Sequence, residues 1–199
     1  MAIALLPPVG DQIDRRGNVL TRSFARAMLL ATGWRFEGAL PNLRQFVIIV
    51  APHTSNWDFP IGIMAMFALG VRGTFLGKDT LFDPPFGFIF RWLGGVPVNR
   101  VSSHNVVEQT IAYFQARDRM ILALSPEGTR RKIERWRTGF YWVAVGAAVP
   151  IVPVAFDFPR RRFIIHPPQS MTGKAAVDIP HLHSFFSASQ ACRPELYVG

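Results

Sequence analysis

The run Phe46-Val47-Ile48-Ile49-Val50-Ala51-Pro52-His53-Thr54-Ser55-Asn56-Trp57-Asp58-Phe59-Pro60 decides the fold. Its first five residues are apolar without interruption, the pattern of a strand buried on both faces of a parallel sheet. Pro52 biases Ala51 away from helix, and Ser55 or Asn56 is placed to cap a helix from Trp57 to Leu69 that Gly70 and Gly73 end. A buried strand leading at once into a helix is the start of an alternating α/β chain.

His53 and Asp58 are five positions apart. On one continuous helix that spacing separates two side chains by about 140°, so they meet only with His53 in the loop and Asp58 in the first helical turn. The positive end of the helix dipole suits a carboxylate there. An Asp accepting the Nδ1–H of His53 fixes the tautomer and leaves Nε2 free to act as a general base. No Gly-x-Ser-x-Gly elbow occurs, and the one cysteine, Cys192, lies in the tail. The pair is therefore read as activating a hydroxyl of the substrate. A His and an Asp at a helix start are most often a capping pair or a satisfied polar cluster, so the rest of the chain has to decide.

Outward from this stretch, strands and helices alternate. Residues 74–77 read as a short strand leading to Lys78, residues 81–93 as an aromatic-rich segment with a short helix, and residues 96–98 as an edge strand because Pro97 lacks a ladder donor. A helix over 103–117 and a buried strand over 120–124 precede the break Ser125-Pro126-Glu127-Gly128-Thr129-Arg130. Residues 138–156 carry no charge and are long enough to cross a bilayer, but Pro150 and Pro153 divide them into a buried helix and a buried strand over 151–155. A strand over 163–166 and a final helix from about 180 to 191 complete the order. This predicts a single α/β domain over 41–199 with a mainly parallel central sheet flanked by helices. His53, Lys78, Arg100 and the 127–130 loop all follow strands, where sites of parallel sheets gather.

The N-terminal residues 1–40 read as a basic amphipathic segment. A helix over 19–34 carries Leu20, Phe24, Met28 and Ala31 on one side, with Arg15, Arg16, Arg22 and Arg26 flanking or interrupting it. Such a helix suits an anionic membrane surface, and core packing explains it equally well. No signal-peptide layout precedes it.

The chain has 199 residues, enough to bury a substantial core, and 49% are hydrophobic, which excludes disorder. A formal charge of +9 predicts an anionic partner. Nucleic acid, an anionic membrane and a phosphorylated substrate all qualify, but no zinc-ligand spacing or RNA-binding signature is present, so nucleic acid is not expected. His181 and His183 are too small a set for a metal site. One cysteine excludes a disulfide framework and fits a reducing compartment.

Four blocks, in order, resemble the glycerophospholipid O-acyltransferases, which include the 1-acylglycerol-3-phosphate acyltransferases. His53-Thr54-Ser55-Asn56-Trp57-Asp58 matches the family's H-x-x-x-x-D block. Gly94-Gly95-Val96-Pro97-Val98-Asn99-Arg100 is similar to its second, Pro126-Glu127-Gly128-Thr129-Arg130 to its third, and Val149-Pro150-Ile151-Val152-Pro153-Val154 to its fourth. The resemblance implies that His53 is the general base, that Asp58 orients it, and that the activated hydroxyl attacks the thioester of acyl-CoA or acyl-carrier protein. Either thioester is a co-substrate, and no bound cofactor is expected. It further implies an acceptor-phosphate site built from Arg100, Gly128, Thr129 and Arg130. Glu127 is expected to hold an arginine or accept a glycerol hydroxyl, and Lys78 is a further phosphate candidate beside the reading of a solvated lysine.

The leading acceptor is a lysophospholipid, 1-acylglycerol-3-phosphate, with the protein cytoplasmic and peripheral at the inner face of a membrane. The third block continues through a basic, aromatic run to Arg137 and Trp142, which keeps open a non-glycerol acceptor such as an amino-acid lipid or specialised metabolite. The non-enzymatic reading is a peripheral lipid-binding protein. Phe67, Phe75, Phe86, Phe88 and Trp92 are candidates for measuring the acyl chain.

Overall fold

The computed structural model of the chain describes residues 3–98, 103–129 and 134–197. Among these the elements run β1 (Ile3–Ala4), α1 (Val19–Thr32), β2 (Arg35–Glu37), β3 (Gln45–Ala51), α2 (Asp58–Leu69), β4 (Gly73–Lys78), α3 (Gly87–Trp92), β5 (Gly95–Val98), α4 (Ser103–Gln115), β6 (Met120–Leu124), α5 (Gly139–Gly146), β7 (Ile151–Asp157), β8 (Arg162–Ile165) and α6 (Ala175–His183). The described strands form one sheet in the order β1-β2-β8-β7-β3-β6-β4-β5. Neighbours from β7 to β5 are parallel, and β8 returns antiparallel to β7. The expected α/β architecture is present, with β5 and its Pro97 at the edge.

The strands of the centre show why their sequence is continuously apolar. Alternate residues of β3 enter opposite layers: Phe46 and Ile48 join the core beneath α1 and α2, whereas Val47, Ile49 and Ala51 join the core beneath α4, α5 and α6. Both faces of β3 are covered, so neither can be polar.

Three local details depart from the sequence reading. The first helix ends at Thr32, because Gly33 adopts φ 77° and turns Trp34 into the core, where it stacks on Phe163. No side chain caps α2. Trp57 occupies the capping position in helical geometry, and Ser55 Oγ instead accepts the Trp57 N–H at 3.2 Å. The last helix is α6, which contains Pro180 rather than starting there, and residues 188–190 form only a short 3₁₀ turn. Strands β1 and β2 tie residues 3–37 into the same sheet as the rest.

The N-terminal arginines direct their donors to backbone carbonyls. Arg15 and Arg26 donate to the carbonyls of Leu69 and Ala68 at the carboxyl end of α2. Arg16 donates to Leu93 and Trp92 just after and at the end of α3, and its guanidinium lies 4.6 Å from the Phe67 ring centroid. Arg22 binds the Arg16 carbonyl. Helix carboxyl ends carry carbonyls without intrahelical partners and partial negative charge, so cations settle there. What α1 leaves outside is its apolar stripe: Leu20 is 79% exposed and Phe24 60%, with Met28 also exposed. No helix among the described residues is long and apolar enough to cross a membrane.

Replacing Arg16 by Met keeps a flexible stem against Phe67 and Trp92 but removes the hydrogen bonds to the end of α3. The expected loss is about 1–3 kcal/mol, the cost of stranding part-buried acceptors. Urea denaturation of wild type and Arg16→Met measures it, and an unchanged midpoint would mean these bonds are replaced by water without cost.

Candidate active site

His53 stands two residues beyond β3, and Asp58 is the first residue of α2. The turn between them brings His53 Nδ1 to 2.9 Å from Asp58 Oδ2. The same oxygen accepts the Ser55 N–H at 2.9 Å, which closes the loop on itself. Asp58 is 3% exposed, and its Oδ1 has no hydrogen-bond partner among the described residues. With the imidazole proton on Nδ1, Nε2 carries the free lone pair. This is the arrangement that the five-residue spacing requires, the His in the loop and the Asp in the first turn.

A second carboxylate supports the loop from behind. β3 and β6 are parallel neighbours with Ile49 opposite Leu124, so the segments that follow them emerge side by side. Glu127, 1% exposed, uses Oε1 to accept the backbone N–H of His53 at 3.0 Å. It is thus turned toward the His53 main chain. Burial pushes its carboxyl above the ordinary value of 4.5, opposed by the His53 N–H and imidazole and reinforced by Asp58. No local pattern signals this contact, because a residue 74 positions away meets the loop only through strand order.

The far end of the chain also reaches the loop. Thr54 is buried, and its Oγ1 accepts the N–H of Arg193 at 3.1 Å across 139 residues. Nearby, Tyr197 donates to the Phe186 carbonyl.

His53 and Asp58 open onto a cavity of about 560 Å³. One part runs between α2 and the sheet and is apolar, with Phe59, Gly62, Met66, Phe75, Val154 and Phe156 among its walls. The other part is polar and includes Ser125, Gly128 and Arg137. Of the five aromatics proposed to measure a chain, Phe75 lines this space and Phe67, Phe86, Phe88 and Trp92 do not. Phe67 is turned into the core against Arg16 and Trp92.

The remaining predicted residues are distributed unevenly. Gly128 lines the cavity with φ 65°, a conformation that favours glycine. Thr129 is half-buried beside it. Lys78 is exposed at the end of β4 and does not line the cavity. Arg100 and Arg130 lie outside the described residues. Sequence reasoning passed over Ser125 and Arg137; the second stood in plain view as part of a basic run, but nothing in the run distinguishes the residue that folds back toward the cavity.

The His–Asp pair and most of the cavity lining lie within a stretch that known proteins share. The family profile described as Acyltransferase matches residues 35–157. The 1-acyl-sn-glycerol-3-phosphate acyltransferase of Haemophilus influenzae is 29% identical over 68% of this chain and 59% of its own. The Escherichia coli protein of the same name is 31% identical over 54% of this chain and 45% of its own. Human 1-acyl-sn-glycerol-3-phosphate acyltransferase beta is 33% identical over 67% of this chain and 50% of its own. The aligned part of this chain thus spans only about half the length of these curated relatives. The crystal structure of the 1-acyl-sn-glycerophosphate acyltransferase of Thermotoga maritima superposes with a TM-score of 0.60 over 83% of this chain and 75% of that one, at 20% identity, a likeness of fold. Since the profile covers more than half of the residues, including His53, Asp58 and Glu127, the chain belongs to the acyltransferase family.

Proposed function

We propose that the protein transfers a fatty acyl group from an acyl thioester, acyl-CoA or acyl-carrier protein, to a hydroxyl of a lysophospholipid of the 1-acylglycerol-3-phosphate type. The observation that carries this reading is the 2.9 Å His53 to Asp58 contact at the boundary between an apolar cavity and a polar mouth. His53 Nε2 takes the proton of the acceptor hydroxyl as its oxygen attacks the thioester carbonyl. The tetrahedral intermediate then expels the thiolate as the C–S bond breaks, and the imidazolium returns the proton to sulfur. A hydroxyl needs the base, whereas a thiol of pKa about 8.5 leaves readily, so one His–Asp pair serves both steps.

The N–H groups of His53, Ser55 and Trp57 already donate within the protein. That leaves the amides of Thr54 and Asn56 as the loop's candidates for the oxyanion. Glu127 acts through the His53 backbone, holding the base in place. Arg100 and Arg130 are assigned to the acceptor phosphate, which a guanidinium binds bidentately. The cavity's apolar part takes the acyl chain, its volume falling within the range of ligand pockets.

Lipid substrates require access from a bilayer. The exposed Leu20, Phe24 and Met28 of α1 supply an apolar contact for it, and Phe88, 70% exposed, and the outer part of Trp92 of α3 add to the exposed apolar surface. With the neighbouring arginines bonded to backbone carbonyls, binding rests on insertion of apolar side chains more than on attraction to anionic headgroups.

Three outcomes are expected. First, thiol release from palmitoyl-CoA depends on 1-acylglycerol-3-phosphate, and His53→Ala lowers it by about 10²–10⁴-fold, the usual worth of a general base; full activity in the variant would end the proposal. Second, the Glu127 carboxyl has a raised value in the folded protein, so stability is lost as pH climbs from 4.5 through that raised value and the loss is complete above it. Glu127→Gln lacks this loss, so the Tm of the variant minus that of wild type rises from acid to neutral pH; a flat difference contradicts the assignment. Third, Leu20→Asp combined with Phe24→Asp reduces flotation with phospholipid vesicles several-fold even when the lipid is zwitterionic. Flotation equal to wild type would move the contact elsewhere.

A further inference from the structure

We propose that Arg137 binds the anionic headgroup of the acceptor and selects a phosphomonoester over an uncharged alcohol, an assignment that rests on the acyltransferase reading. Three observations lead to it. Arg137 lines the same cavity as His53 and Asp58, on its polar side with Ser125 and Gly128. Its side chain lies across Gly128, where a Cβ would stand 3.0 Å from Arg137 Cδ and 3.2 Å from Nε. Its guanidinium is exposed and makes no hydrogen bond or ion pair with any described residue.

The backbone of Arg137 has its own task, donating to the Pro126 carbonyl at 2.9 Å. That bond ties Arg137 to the Pro126-Gly128 turn, and it does not depend on the Arg137 side chain. The guanidinium is therefore positioned by its main chain without being consumed by the fold. An arginine whose donors are unused by the described residues, beside a pair suited to activating a hydroxyl, is a binding group for an anion. Gly128 is favoured by its positive φ, and a Cβ there would crowd the Arg137 side chain. Two further groups face the same region. Ser125 Oγ has no partner among the described residues and lines the cavity, and Gly139 at the start of α5 brings amides that lack intrahelical acceptors.

The chemistry of the acceptor fits this distribution. In a 1-acylglycerol-3-phosphate the free hydroxyl and the phosphate ester sit on adjacent carbons. A base on that hydroxyl thus brings the phosphate to the polar mouth, where a phosphomonoester carries about −1.5 to −2 charges at neutral pH. Monoacylglycerol presents the same hydroxyl without that charge.

The test compares wild type, Arg137→Gln and Arg137→Lys with one acyl-CoA donor and two acceptors, 1-acylglycerol-3-phosphate and monoacylglycerol, with Tm recorded for each protein. The expected result is a rise in KM for the phosphorylated acceptor of about 10- to 100-fold in Arg137→Gln. Arg137→Lys should recover part of it, kcat should change little, and monoacylglycerol transfer should fall no more than about twofold. Equal losses on both acceptors, or none on either, overturn the proposal. Transfer by wild type to monoacylglycerol but not to the phosphorylated acceptor overturns it while leaving the acyltransferase reading intact. If wild type acylates neither, titration with glycerol 3-phosphate decides: binding that Arg137→Gln abolishes supports the anion site, and absence of binding to wild type overturns it.

Discussion

The structure depends on the double pairing of β3. This strand is hydrogen-bonded to β6 on one edge and β7 on the other, with Ile49 facing Leu124 and Pro153 in the two ladders. Because all three run in one direction, the segments beyond them emerge on the same side of the sheet. That one register places the His53 loop beside the Glu127 turn and makes the 3.0 Å bond between them possible. A slip of one residue would exchange the faces of Phe46, Val47, Ile48 and Ile49 and carry His53 away from Glu127. Burial on both faces is what forbids the slip.

Much of this was legible in the sequence because burial leaves a strong mark. The apolar runs at 46–50, 120–124 and 151–155 fall within β3, β6 and β7, and the Pro97 segment lies at the sheet edge. The His–Asp contact was legible because proline and helix signals between residues 52 and 58 admitted only one geometry in which the two meet. Strands β1 and β2 were invisible, since two or three residues are too few to show alternation. The Glu127 to His53 bond and the position of Arg137 depend on strand order and loop return, which no local pattern encodes.

Charge was legible only as a total. A surplus of cations predicts an anionic partner, yet Arg15, Arg16, Arg22 and Arg26 direct hydrogen bonds to backbone carbonyls, most of them at the ends of α2 and α3. An amphipathic pattern gives the two faces of a helix but not which one the protein covers. In α1 the small Ala25 and the single Leu29 face the core, and the larger apolar stripe stays outside. One physical reason is the carboxyl end of α2 beneath, where the Ala68 carbonyl accepts a bond from Arg26 that a leucine could not make.

The bond from Arg193 N–H to Thr54 Oγ1 joins positions separated by most of the chain. A ribosome delivers the His53 loop long before it delivers its last tether. During synthesis His53 and Asp58, which are neighbours in sequence, can meet early, but β6, which leads to Glu127, follows later and the Arg193 contact later still. The His53 loop therefore gains its full set of ties only once residue 193 has been made, whereas the His53 to Asp58 contact needs nothing but neighbouring residues.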